Sequence, residues 1–151
     1  MIRRGWPEDV NGIAELYERS FATLTFLPAL HTLDEHRRWF DRVVAEQEVW
    51  VCEQEGAIVG FAALDEAMLN YLYVEPALLG RGIGGRLLEQ AKAHRATGFT
   101  FWVFQRNARA RVFYERRGCR LVRLTDGEHN EEKSPDALYE WRPDGKSQED
   151  V

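Results

Sequence analysis

Cysteine is scarce in this chain: Cys52 and Cys119 are the only two in 151 residues. Two thiols so far apart supply neither a disulfide framework nor a metal-ligand spacing. A reduced chain with both thiols buried, and no metal, is therefore expected. No apolar run is long enough to cross a bilayer. The opening residues MIRRGWPEDV hold no apolar core of a secretory signal, so a cytoplasmic chain without a membrane partner is expected. There is no excess of basic residues either, the net charge being −5. That weighs against a nucleic-acid partner, whose binding rests on phosphate neutralisation. It is compatible with a cationic or amine partner, and equally with acidity that only keeps the chain in solution. Repeats and internal linkers are absent. One domain over residues 1–143 is expected, followed by a flexible tail at 144–151.

What is present is a clear alternation of periods. Residues 1–4 read as a strand, and Pro7-Glu8-Asp9 opens a helix carrying Ile13, Leu16, Tyr17 and Phe21 at helical spacing. Thr32 to Glu35 fits a capping box, followed by an apolar face of Trp39, Phe40, Val43 and Val44. Residues 48–74 read as three strands with turns at Glu55-Gly56 and Asp65-Glu66. Ile83, Leu87, Leu88 and Ala91 line a third helix, and Phe99 to Val103 reads as a buried strand. Asn107 can cap a fourth helix with Val112 and Phe113 on its core face. Arg120 to Leu124 and Ala137 to Trp141 are the last strands, joined by the polar stretch TDGEHNEEKSPD. The order β-α-α-β-β-β-α-β-α-β-β implies an α+β fold with a mixed sheet, hairpins first and then a β-α-β crossover.

Four glycines, Gly80, Gly82, Gly84 and Gly85, fall where the third helix begins. They match G-x-G-x-x-G literally. The dinucleotide reading fails, because five residues separate them from the strand and no acid lies about 20 residues further on. A P-loop would need Gly-Lys-Ser/Thr, which is absent. A helix N-terminus nevertheless presents unpaired N–H groups and the positive end of the dipole. Glycines there let a phosphate approach the backbone. Arg81 and Arg86 add charge in the same turn, as phosphate contacts or as solvated side chains. A diphosphate cradle and a packing-driven tight turn are the two readings.

Strand, V-x-P, a short gap and then G-R-G-I-G-G opening a helix resembles the pyrophosphate loop of the GNAT N-acetyltransferases, which bind acetyl-CoA. Gly82 and Gly84 match the last two fixed positions of the family's Gln/Arg-x-x-Gly-x-Gly/Ala, and Leu79 departs from the first. NARARVFYERRGC, residues 107–119, resembles the family's Asn…FYE-x-x-Gly-Phe segment, with Cys119 in place of Phe. LPALHT and TDGEHNEEKSPDALYEW together resemble a bacterial subgroup.

The resemblance implies a three-layer fold, a central mixed sheet flanked by helices. It implies acetyl transfer from acetyl-CoA to a primary amine by direct attack in a ternary complex, the acceptor being a small molecule or a peptide. The rival is an acyl-CoA-binding regulatory module without turnover. It further implies that the strand segment Leu72, Tyr73, Val74 binds the pantetheine arm, and that Gly80, Arg81, Gly82, Ile83, Gly84, Gly85 and Arg86 hold the diphosphate. Asn107 would bond the arm, and Tyr114 would meet the sulfur and protonate the leaving thiolate. Tyr114 otherwise reads as a helix tyrosine with its hydroxyl at the surface. His31 and Glu66 are candidates for the base, and Glu131, with Glu132 beside it, for binding the acceptor. Their plainer readings are a histidine beside a helix cap, a turn residue and a solvated acidic loop. Many relatives are dimers, so a homodimer is compatible.

Overall fold

The computed structural model describes residues 1–144, so the expected tail lies outside the described residues except at Asp144. The strands are β1 (Ile2–Arg4), β2 (Glu48–Gln54), β3 (Ala57–Asp65), β4 (Met68–Val74), β5 (Phe99–Phe104), β6 (Arg120–Thr125) and β7 (Asp136–Trp141). The helices are α1 (Val10–Ala22), α2 (Leu33–Glu46), α3 (Ile83–His94) and α4 (Ala108–Glu115). Local chemistry accounts for several boundaries. Thr32 accepts from the Glu35 N–H at 3.2 Å while Glu35 accepts from the Thr32 N–H at 2.9 Å, the reciprocal capping box that starts α2. Glu55 and Gly56 both take positive φ, which matches a two-residue hairpin turn to the twist of β2 and β3.

One seven-stranded sheet runs β1-β2-β3-β4-β5-β7-β6. Every neighbouring pair is antiparallel except β4–β5, which the α3 crossover makes parallel. Two cores cover its faces. Val10, Ile13, Leu16, Phe40 and Val43 of α1 and α2 pack on Val49, Val51, Phe61 and Ala63. Ile83, Leu87, Leu88 and Tyr114 of α3 and α4 pack on Cys52, Leu64, Phe99, Phe101 and Tyr139. The fold is thus α+β, with helices on both faces of an open mixed sheet. Both cysteines are free thiols in the interior. No helix among the described residues is long and apolar enough to cross a membrane.

Two expected core positions differ. Val112 is 46% exposed, whereas Tyr114 is buried on the sheet side of α4. Trp39, read on the apolar face of α2, is 48% exposed, and its indole N–H donates to the Tyr71 hydroxyl at 2.6 Å.

Candidate active site

The parallel pair β4–β5 is joined at one register position, Met68 with Thr100. Beyond it the two strands are not paired, and a gap opens toward their C-terminal ends. Which backbone groups face that gap follows from alternation. The Glu75 N–H donates to the Val59 carbonyl on the β3 side at 2.8 Å. Val74 and Leu72 therefore turn their N–H groups the other way, toward β5. A register shift sets this phase: Ala63 faces Tyr71 but Leu64 faces Leu69, so Asn70 is an extra residue in β4. Tyr73, read as cofactor-binding with its neighbours, instead pairs its backbone with Phe61, and its ring packs with the α1–α2 core.

The glycines lie at the open end of β4. Gly82 is the N-cap of α3 at φ +85°, and a Cβ placed there would meet nothing within 4 Å. That conformation suits glycine, and the space before it is open. Gly84 has a packing role: its would-be Cβ lies 3.2 Å from the Phe113 ring, so glycine lets α3 approach α4. The Arg86 N–H bonds the Gly82 carbonyl at 3.1 Å, so the N–H groups of Ile83, Gly84 and Gly85 have no acceptor within the helix. Arg81 and Arg86 are exposed beside them. Two further guanidinium groups come from α4 and its end. Arg109 reaches within 3.9 Å of the Cβ position at Gly80, and Arg117 within 3.4 Å of that at Gly85. The approach of Arg117 to Gly85 is a tertiary contact that no spacing along the chain encodes. The glycines therefore serve both readings, Gly84 packing and Gly82 leaving open backbone.

Asn107 caps α4, its Oδ1 accepting from the Ala110 N–H at 3.2 Å, which leaves its Nδ2 to donate elsewhere. Tyr114 is 7% exposed and its ring packs tilted against Phe101, with centroids 4.3 Å apart and planes at 46°. Burial, with the nearby Tyr73 and Cys119, pushes its phenol well above the ordinary value, so the proton stays on the oxygen.

On the α1–α2 face of the sheet lies a cavity of about 800 Å³. Tyr17, Phe21, Trp39, Tyr71, Tyr73 and Phe104 give it aromatic walls, and His31, Glu131 and Glu132 also line it. Tyr17, Phe21 and Trp39 are legible in sequence only as core periodicity, because facing rings leave no signal in spacing. Glu66 is not brought here. It sits at positive φ in the β3–β4 turn, at the paired end of β4, where its carbonyl accepts from Arg95. That placement removes Glu66 from the candidate bases.

The β6–β7 loop that carries Glu131 and Glu132 is built around buried Asp136. This carboxylate accepts from the Thr125 hydroxyl and from Asn130 Nδ2 at 3.1 Å, and lies 2.9 Å from His129 Nε2. Gln105 Nε2 bridges the carbonyls of Thr125 and Asp136 at 2.8 and 2.9 Å. A polar stretch in sequence is thus a hydrogen-bonded wall in the fold.

His31 clasps that wall to the start of α2. Its Nε2 lies 2.5 Å from Glu131 Oε1 and its Nδ1 3.5 Å from Glu35 Oε2. Glu131 first, and Glu35 after it, push the imidazole pKa up. This favours the imidazolium, which has no lone pair with which to take a proton from an amine. The stabilisation exists while both folded and unfolded forms are protonated, and is lost as pH rises through the folded value. Wild type is therefore expected to melt above His31→Asn at about pH 5.5, with the gap closing by about pH 9. Paired thermal melts check this; a gap that widens with pH would count against the clasp.

A family model described as "Acetyltransferase (GNAT) domain" matches residues 45–119, a span that contains β4, the glycines and Asn107. The chain is 30% identical over 123 residues to "Peptidyl-lysine N-acetyltransferase YjaB" of Salmonella typhimurium, covering 80% of this chain and 83% of that protein. It resembles the solution structure of apo-form YjaB from Escherichia coli with TM-score 0.73 and 26% identity, over 93% of this chain and 96% of that one. It resembles in fold the paia N-acetyltransferase of Thermoplasma acidophilum in complex with coenzyme A, with TM-score 0.74 and 17% identity, over 94% of this chain and 98% of that one.

Proposed function

This chain belongs to the GNAT acetyltransferase family, and from that premise we propose that acetyl-CoA enters the gap between β4 and β5 and acetylates a primary amine delivered through the aromatic cavity. The chain is an acyl-CoA-dependent N-acetyltransferase. The observation that carries the site assignment is the lone β4–β5 register pair, Met68 with Thr100, which leaves Leu72 and Val74 N–H groups facing an unfilled strand position. A pantetheine arm pairs there as an added strand would. The diphosphate meets the N–H groups of Gly82 to Gly85, with Arg81, Arg86 and Arg109 nearby. Asn107 Nδ2 donates to the arm.

The neutral amine attacks the thioester carbonyl. The oxyanion that forms is stabilised by a backbone N–H of Leu72 or Val74. Collapse breaks the C–S bond, the Tyr114 hydroxyl, kept protonated by burial, gives its proton to the leaving thiolate, and the proton shed by the attacking nitrogen passes to water and restores the phenol. A binding module without turnover would have no use for that acid. The acceptor we favour is a lysine side chain of a peptide, in line with the named activity of the Salmonella relative. Aromatic walls suit the methylenes of an aliphatic amine.

Thermal unfolding with acetyl-CoA, CoA and ADP tests the cofactor reading, since a ligand of the native state raises Tm by mass action. Acetyl-CoA and CoA are expected to raise Tm more than ADP. Incubation with acetyl-CoA and a lysine-containing peptide should then add one acetyl group to the lysine by mass spectrometry. No shift at saturating acetyl-CoA would sink the proposal.

A further inference from the structure

Four carboxylates line the acceptor cavity, and three are already engaged. Glu18 lies 3.6 Å from His36 Nδ1, Glu35 closes the capping box with Thr32, and Glu131 lies 2.5 Å from His31 Nε2. Glu132, half-buried on the same wall, enters no hydrogen bond or ion pair among the described residues. It is not remote from the cavity floor. It lines the cavity together with Tyr17, Tyr71 and Tyr73; the charges of Glu132 and Glu131 are both among the causes, after burial, that raise the phenols of Tyr17 and Tyr71, and of the two only Glu132 is among those that raise Tyr73. Those three rings meet edge to face, Tyr17 with Tyr71 at 5.9 Å and Tyr17 with Tyr73 at 5.0 Å between centroids. A carboxylate lining the same cavity as these edge-to-face phenols offers a cation one charge partner beside aromatic rings.

Resting on the reading of this cavity as the acceptor side, we propose that Glu132, and not its neighbour Glu131, is the specificity-determining carboxylate that pairs with the primary ammonium of an unbranched aliphatic acceptor. The methylenes of that acceptor lie along Tyr17, Trp39 and Tyr71. Glu131 acts indirectly, by holding the loop to His31. Arg38 and Arg42 on the α2 wall oppose a polycation, so the acceptor carries a single ammonium at its reacting end. A half-buried carboxylate with no partner gains most from such a ligand, because neither charge then remains desolvated and unpaired.

The Trp39 indole N–H, bonded to the Tyr71 hydroxyl at 2.6 Å, is a reporter inside this cavity. Its ¹⁵N–¹H resonance is followed in the full chain while n-butylammonium chloride or 1-butanol is added. The ammonium is expected to bind about tenfold more tightly than the alcohol. Glu132→Gln should abolish that preference, and Glu131→Gln should retain it, with thermal melts showing both variants folded. An unchanged preference in Glu132→Gln, its loss in Glu131→Gln alone, or no response of wild type to the ammonium would each overturn the proposal. Amide shifts of Gly82 and Gly84 on adding CoA are recorded on the same samples. Their absence would strike the cofactor reading and leave the ammonium result standing.

Discussion

Gly82→Val is expected to weaken acetyl-CoA binding about a hundredfold while leaving a folded protein. Gly82 sits at φ +85° as the cap of α3, with nothing within 4 Å of a Cβ built on it. Two effects then combine. The left-handed conformation costs an L-residue about 1–2 kcal/mol, which pulls the cap out of shape. The new side chain also stands where phosphate oxygens must come to reach the N–H groups of α3. Hydrogen bonds to charged groups contribute about 1.5–3 kcal/mol each, so losing one or two is about two decades in affinity. Gly118 supplies the control. It too has φ +85° with open space around it, but it follows the C-terminal end of α4. Gly118→Val should therefore lower Tm by a similar amount and bind acetyl-CoA as wild type does. Calorimetric titration of both variants decides: equal affinities for acetyl-CoA would show that the open backbone at Gly82 holds no phosphate.

Tyr114→Phe should lower kcat about a hundredfold, with KM for acetyl-CoA within about twofold of wild type, the lower end of what a positioned general acid contributes. The expectation rests on burial. At 7% exposure, with the Phe101 ring 4.3 Å away, the phenyl ring keeps its packing when the oxygen is removed, so Tm should barely move. Only the proton for the thiolate is lost. A structural tyrosine would behave in the opposite way, with Tm falling and kcat holding. Poorer leaving groups should suffer more than good ones, so an acyl donor with a more acidic thiol should recover part of the rate. Full kcat in Tyr114→Phe would return this residue to the core and leave solvent as the acid.

Much of the architecture was legible because it is written in neighbours along the chain. The Thr32–Glu35 box, the Glu55-Gly56 turn and the glycine start of α3 each depend on contacts within a few residues, and each lies where expected. The buried face of α4 was harder, since an eight-residue helix shows too few turns for its period to identify the core side. The sheet decided it by presenting Phe101 and Tyr139 to Tyr114, leaving Val112 outside.

The site divides along the same line. By itself the sequence determined the glycine loop, the Asn107 cap and the tyrosine of FYE, because a helix start and a short segment are local and a family resemblance is read from them. Only tertiary structure decided which backbone groups face the unpaired side of β4 and which acids line the aromatic cavity. The extra residue at Asn70 sets the phase that turns Leu72 and Val74 toward β5 and Tyr73 toward β3. Glu66 and Glu131 are alike as carboxylates on loops, but Glu66 lies in the turn at the paired end of β4 and Glu131 lines the cavity. His31 and Glu131 are 100 residues apart and meet at 2.5 Å. Strand phase and long-range pairing depend on the packing of distant segments, and no spacing within one segment encodes them.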